Sequence, residues 1–319
     1  MAEPKNWYEV KQNNRVGYAL MLFVLRFFPV GFMRFLAFPI GFFYWIFSHN
    51  ARRVSKEYFS HLASSKGTNV KQYSTLKHII SFALNLVENV QAWAGKSSFK
   101  NVTWQNDDIG DLVKNIDNGH GSIIVISHLG NAQMLKALAS AGESGTQRKI
   151  SLTTISDANI SAGFNALLLQ INRDSAFHII SSNDIGPETI FTLQERLEKG
   201  EVVVIAGDRV SAHTNRNIEV NFLGERTLLP YGVFLLLSLL NVPTYFVNGL
   251  RVRDFSLKSK YNMYVKKNTI DFACGRKERE SRILQTAQSY AENLENLSKQ
   301  YPYQWYNFFD FWQHSKAVL

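Results

Sequence analysis

A chain of 319 residues that is 45% hydrophobic and only 19% charged is long enough to bury a large core, and this composition excludes a disordered chain. Its net charge of +9, with a pI near 9.5, points to an anionic partner such as an acidic membrane surface or an acidic carrier protein, or else serves solubility alone. No zinc-finger, helix-turn-helix or RRM pattern accompanies the basic residues, so no nucleic acid is expected, and the single Cys274, without a disulfide or metal-site partner, indicates a reducing compartment.

No repeat, Gly/Ser linker or low-complexity tract divides the chain, so we expect a membrane-associating helical segment over residues 1–65 followed by one domain over 66–319. From Val16 to Phe47 the sequence is almost wholly apolar, but Arg26 and Arg34 cut it into runs of 10, 7 and 13 residues, and Pro29 and Pro39 add breaks. A clean transmembrane helix needs about 20 apolar residues, and a signal peptide needs a small-residue cleavage site. The aromatic end Gly41-Phe-Phe-Tyr-Trp-Ile-Phe47, followed by Arg52, Arg53 and Lys56, favours a helix pair embedded in one leaflet at the cytoplasmic face, with arginines snorkelling to the headgroups. A pair of buried core helices and a single spanning helix are the alternatives.

Lys71 to Gly95 carries apolar residues at the three-to-four spacing of an amphipathic helix. Beyond it, strands are predicted near Val102 and over 123–126, 150–154, 177–180, 202–206, 218–222, 244–248 and 261–266. Helical patterns lie between many of them, notably over 186–199, with Pro187 in its first turn and Gly200 at its end, and over 233–240. A last helix over 277–300, with a Glu278/Arg282 pair, reads as largely solvated. This alternation predicts an α/β fold with a mixed, largely parallel sheet flanked by helices.

Two strands end in chemistry. Ile123 to Ile126 leads to His128, then to Gly130-Asn131 as a turn with a helix cap, so the imidazole leaves the sheet at a strand's carboxyl end, where open α/β sheets bind ligands. A histidine there takes a proton from a hydroxyl near neutral pH, unless it merely fills the turn. Val202 to Ala206 leads to Gly207-Asp208-Arg209, where Arg209 would grip a phosphate or carboxylate and Asp208 would orient it or an acceptor hydroxyl, unless the two only close a loop. Downstream, Pro230 and Gly232 read either as a wall beside an acyl chain or as an ordinary helix start.

His128-Leu-Gly-Asn-Ala-Gln133 resembles the HxxxxD/E block of the lysophospholipid acyltransferase superfamily, in its lipid A late-acyltransferase-like branch. Gly207-Asp208-Arg209, Phe222-Leu-Gly224 with Pro230-Tyr-Gly232, and the tail from Tyr301 to Trp312 resemble later blocks of the same branch in the same order. The resemblance implies a glycerolipid acyltransferase-like fold and a membrane-bound O-acyltransferase at the cytoplasmic face of the cell inner membrane. The acyl group would pass from an acyl carrier protein or coenzyme A thioester, as co-substrate, to a hydroxyl of a lipid or glycolipid. His128, Gln133 and Asp208 become candidate catalytic residues, and Gly130, Asn131, Arg209, Phe222, Gly224, Pro230 and Gly232 candidate substrate-binding residues, with backbone N–H groups around Gly130 as donors to the oxyanion. No metal and no bound cofactor is implied.

Gln133 departs from that block, which has an acid at this position. An amide carbonyl still accepts the Nδ1–H bond of His128 but offers no negative charge to the imidazolium. Asp157, Asp208 and Glu188 are the carboxylates that would substitute in space. The alternatives are a catalytically silent lipid-binding or carrier-binding subunit, or a soluble α/β enzyme of another class.

Overall fold

The computed structural model describes residues 29–93, 102–105, 108–132, 146–148, 150–156, 177–182, 185–210, 216–256 and 260–312. Seven strands form one sheet in the order β1-β9-β8-β2-β5-β3-β4: β1 Val102–Trp104, β2 Ser122–Ile126, β3 Leu152–Ser156, β4 Phe177–Ser181, β5 Val202–Ala206, β8 Thr244–Arg251 and β9 Tyr261–Lys267. β8, β2, β5, β3 and β4 run parallel, whereas β9 is antiparallel to β8. The mixed, mostly parallel sheet is thus the predicted one. A separate hairpin, β6 Asn217–Phe222 and β7 Glu225–Pro230, turns through Leu223 and Gly224, both at positive φ, as a two-residue turn demands.

The apolar runs of the central strands follow from burial on both faces. Ile123, Val125, Val203 and Ile205 enter the larger core, and Ile124, Val202 and Val204 enter the core on the other side. The larger core is closed by α6 (Tyr231–Leu240), by the inward face of α7 (Arg276–Gln300; Ile283, Ala287, Tyr290, Leu294) and by the aromatic tail. α4 (Asp108–Asp117) supplies Leu112 and Ile116 to the opposite core, and α5 (Pro187–Glu198) joins β4 to β5. On α7 the ion pairs are Glu280 with Arg216 and Glu295 with Lys299, in place of the predicted Glu278/Arg282 pair.

Three helices precede the sheet: α1 Val30–Phe47, α2 His49–Lys66 and α3 Thr75–Trp93. Among the described residues no single helix is long and apolar enough to cross a membrane, although the pair α1 and α2, bent by 95°, passes by length and composition. α1 continues through Pro39 without the predicted break. Met33, Ala37 and Gly41 face inward, and Gly41 admits Ile80 of α3 so closely that a Cβ would stand 3.1 Å from it. Phe35, Phe42, Phe43, Ile46 and Phe47 are exposed. α2 contributes Tyr58, Phe59 and Leu62 to the main core.

The arginines correct one expectation. Arg34 does not snorkel to a lipid headgroup: it is 2% exposed and its Nη2 donates to Glu88 of α3 at 2.8 Å, because an internal carboxylate offers a buried guanidinium its counter-charge. Arg52 instead folds back on the end of α1, donating to the Trp45 and Ile46 carbonyls and lying over the Trp45 ring. Arg26 lies outside the described residues.

Candidate active site

Register brings the two chemical segments together. β2 and β5 are parallel neighbours with Ile126 opposite Ala206, and the Gly207 N–H extends the ladder to the Ile126 carbonyl at 3.0 Å. Two residues further along each strand, His128 Nδ1 meets Asp208 Oδ1 at 2.8 Å, and the His128 backbone N–H donates to Asp208 Oδ2 at 2.8 Å. Both carboxylate oxygens are therefore committed to one residue, and Asp208 is 0% exposed while about a third of the His128 side chain (33%) stays open. Gly207 allows this packing, because a Cβ there would come within 2.7 Å of Val125 and 3.0 Å of the Tyr290 ring.

The electrostatics suit a base. Burial lowers the His128 pKa below its ordinary value, and the neighbouring Arg209 charge adds to that, outweighing the upward pull of Asp208. Burial alone would raise the Asp208 carboxyl, but the charge and hydrogen bond of His128, with Arg209, hold it below the usual carboxylate range. At neutral pH the imidazole is thus neutral beside a carboxylate. Asp208 holds the proton on Nδ1 and leaves the Nε2 lone pair available, and among the described residues no protein group engages Nε2.

The loop that follows is stitched down on all sides. The Leu129 N–H donates to Ser127 Oγ, Gly130 to the Gln304 carbonyl at 2.8 Å and Asn131 to the Gly249 carbonyl at 2.8 Å, and the His128 carbonyl accepts from Tyr306 N–H at 2.9 Å. The Leu129, Gly130 and Asn131 N–H groups, expected among the oxyanion donors, are consequently engaged by the protein itself, and residues 133–145 lie outside the described residues. Gly130 owes its place to backbone geometry: its φ is +78°, and a Cβ would lie 2.2 Å from the Gly249 oxygen. Asn131 turns inward, buried beside the Tyr261 phenol.

The remaining predicted site residues divide by position. Arg209 directs Nε to Asn307 Oδ1 at 3.2 Å and Nη2 to the Tyr306 carbonyl at 3.3 Å, with the Phe309 ring against its guanidinium, so the fork expected to grip an anion is engaged by the tail. Phe222 is enclosed by Trp305, Phe311 and Trp312 and serves the core. Gly224 forms the hairpin turn, Pro230 caps α6 and Gly232 lies exposed in its first turn. Glu188 is exposed in the first turn of α5, while Gln133 and Asp157 lie outside the described residues.

Sequence reasoning missed the residues that hold the dyad in place. Asn248 of β8 donates to Ser127 Oγ at 2.7 Å, and Tyr290 donates to the Ile126 carbonyl at 2.8 Å. Gln304 accepts from the Arg251 N–H and donates to the Arg251 carbonyl, both at 2.8 Å. Only the density of aromatics in the tail hinted at any of them. Among the described residues no three His, Cys, Asp or Glu side chains converge as metal ligands.

A parallel α/β sheet that presents a neutral, carboxylate-oriented histidine at the exit of a central strand defines an enzyme-like scaffold equipped to deprotonate a hydroxyl. Residues 14–314 match the model of the bacterial lipid A biosynthesis acyltransferases, and the chain belongs to that family. It is therefore an acyltransferase, and the alternative of an α/β enzyme of another class is removed. No individual curated protein matches it.

Proposed function

We propose that the protein is a membrane-bound O-acyltransferase of the cytoplasmic face of the inner membrane, moving a fatty acyl group from an acyl carrier protein or coenzyme A thioester to a hydroxyl of a lipid or glycolipid, with His128 as general base. The observation that carries this reading is the 2.8 Å contact between His128 Nδ1 and the buried Asp208 carboxylate. The acceptor hydroxyl gives its proton to Nε2 as its oxygen attacks the thioester carbonyl, and Asp208 stabilises the imidazolium so formed. Collapse of the tetrahedral intermediate breaks the C–S bond, and the thiolate leaves as thiol with the proton from Nε2. The net change is an ester for a thioester.

Gln133 motivated the silent-subunit reading, because it removes the family acid. The active reading is supported by Asp208, whose carboxylate reaches the same imidazole. The exposed aromatic face of α1 supports attachment to lipid, and the +9 charge supports an acidic donor carrier or anionic bilayer. The test is transfer of a labelled acyl chain from the carrier thioester to extracted membrane lipid. Wild type is expected to transfer and His128→Ala to lose transfer while keeping its fold; a wild type that binds lipid without turnover supports the silent reading. Mass spectrometry of the lipids lost on deleting the protein identifies the acceptor.

A further inference from the structure

The lipid-facing helix and the base are joined by buried charge. Arg34 of α1 donates through Nη2 to Glu88 Oε1 at 2.8 Å and to the Ser256 carbonyl at 2.6 Å. The second oxygen of Glu88 lies 3.4 Å from Arg251 Nη1 on β8, and Arg34, Glu88 and the Arg251 side chain are each 2% exposed. Arg251 then donates through Nη2 to Ser81 and to the Tyr306 phenol. The same Tyr306 gives its backbone N–H to the His128 carbonyl at 2.9 Å. The Tyr261 phenol lies close enough to both Glu88 and Asn131 to feel their charge and dipole.

Removing three charges from water is costly, and well-packed apolar side chains of the same volume fill such a space with equal or greater stability. What the charges provide instead is geometry, because a fork donating to a carboxylate accepts few arrangements. From this we infer that Arg34, Glu88 and Arg251 are positioning residues for His128: the seating of α1 against α3 sets the Tyr306 strap, and the strap sets the loop that aims the imidazole at Asp208. The inference rests on His128 acting as the base. It goes beyond that reading in making the base's alignment depend on a helix that faces lipid.

Two variants interrupt the line at different points. Arg34→Met keeps the unbranched apolar stem and removes the charged fork, and Tyr306→Phe removes only the phenol oxygen and keeps the ring in its aromatic cluster. Each is expected to lower kcat about tenfold with KM unchanged, and the double variant to lose no more than the worse single, since both break one linkage. Histidine-selective NMR supplies a readout independent of turnover. The Nδ1 proton held by Asp208 should give a slowly exchanging downfield resonance in wild type that broadens in both variants, with recovery in Arg34→Lys.

If both variants keep that resonance and their kcat, or if their losses multiply independently, the inference is overturned. Should Arg34→Met fail to fold, Tyr306→Phe decides alone. Absence of turnover in wild type with the Nδ1 signal present would instead refute the acyl-transfer reading and leave the linkage standing.

Discussion

At the scale of single residues, the dyad assigns each nitrogen of His128 a task. Protonation removes the Nε2 lone pair, and the folded pKa of His128 lies below 6.5 because burial and Arg209 disfavour the cation. The sign follows directly: kcat/KM falls as pH drops through that lowered pKa and is flat from 6.5 to neutrality, so a pH–rate profile with its acidic limb above 6.5 would contradict the assignment. Gln133→Glu is expected to leave kcat unchanged, because Nδ1 is already held by Asp208; a clear rise would show that the amide limits the base. His128 was legible in the sequence because a histidine ending an apolar run needs only local patterning to be found. Its pairing with Asp208 was legible only as one of three options, beside Asp157 and Glu188, because the choice depends on the parallel register of β2 and β5, which brings together residues from separate loops.

Elements explain what the site tolerates. The turn after β2 is pinned between β8 and the tail, and Gly130 sits where a Cβ would strike the Gly249 carbonyl. Gly130→Ala should cost at least about 1–2 kcal/mol for the left-handed backbone alone, with further loss from the clash, measurable by denaturant unfolding. For α1, the outward aromatics are exposed among the described residues, and lipid is the occupant we propose. Phe43→Asp with Phe47→Asp is expected to weaken co-sedimentation with anionic vesicles by roughly tenfold or more, at about 1.5–3 kcal/mol per buried aromatic. Unchanged sedimentation would remove α1 as the contact.

The elements also show where patterning fails. Strand and helix types were readable wherever periodicity was strong, as in α3 and β5. β3 begins two residues later than predicted, because Leu152 rather than Ile150 is the residue paired with Val202. α4 was missed because its apolar residues Ile109, Leu112 and Ile116 are too sparse to stand out, and β7 because its strand residues ran into a segment interpreted as a turn.

For the whole molecule, the tail from Tyr301 to Trp312 closes the large core and also holds the loop that carries His128, which joins stability to the proposed site. His78 of α3 marks that closure: its Nε2 donates to the Trp305 carbonyl at 2.9 Å and its Nδ1 accepts from Ser55 at 2.8 Å. Burial drives its pKa down to about 4, with the Trp305 contact opposing. The unfolded chain, with an ordinary histidine, binds the proton first. Stability is therefore fully present above 6.5, is lost as pH falls from 6.5 to about 4, and changes no further from this group below that, for a total of about 3 kcal/mol. His78→Gln should flatten that part of the profile in urea titrations. An unaltered slope would place the acid sensitivity elsewhere.

Acyl transfer by the Asp208→Asn variant, assayed on the labelled carrier thioester under single-turnover conditions, bears most directly on the claim that this buried carboxylate holds and charges the base. The amide cannot accept the Nδ1–H with negative charge, and in serine proteases the same exchange costs about 10⁴ in turnover. We predict a loss of roughly 10³–10⁴ in rate with donor binding retained. A folded Asp208→Asn enzyme working at the wild-type rate would contradict the account.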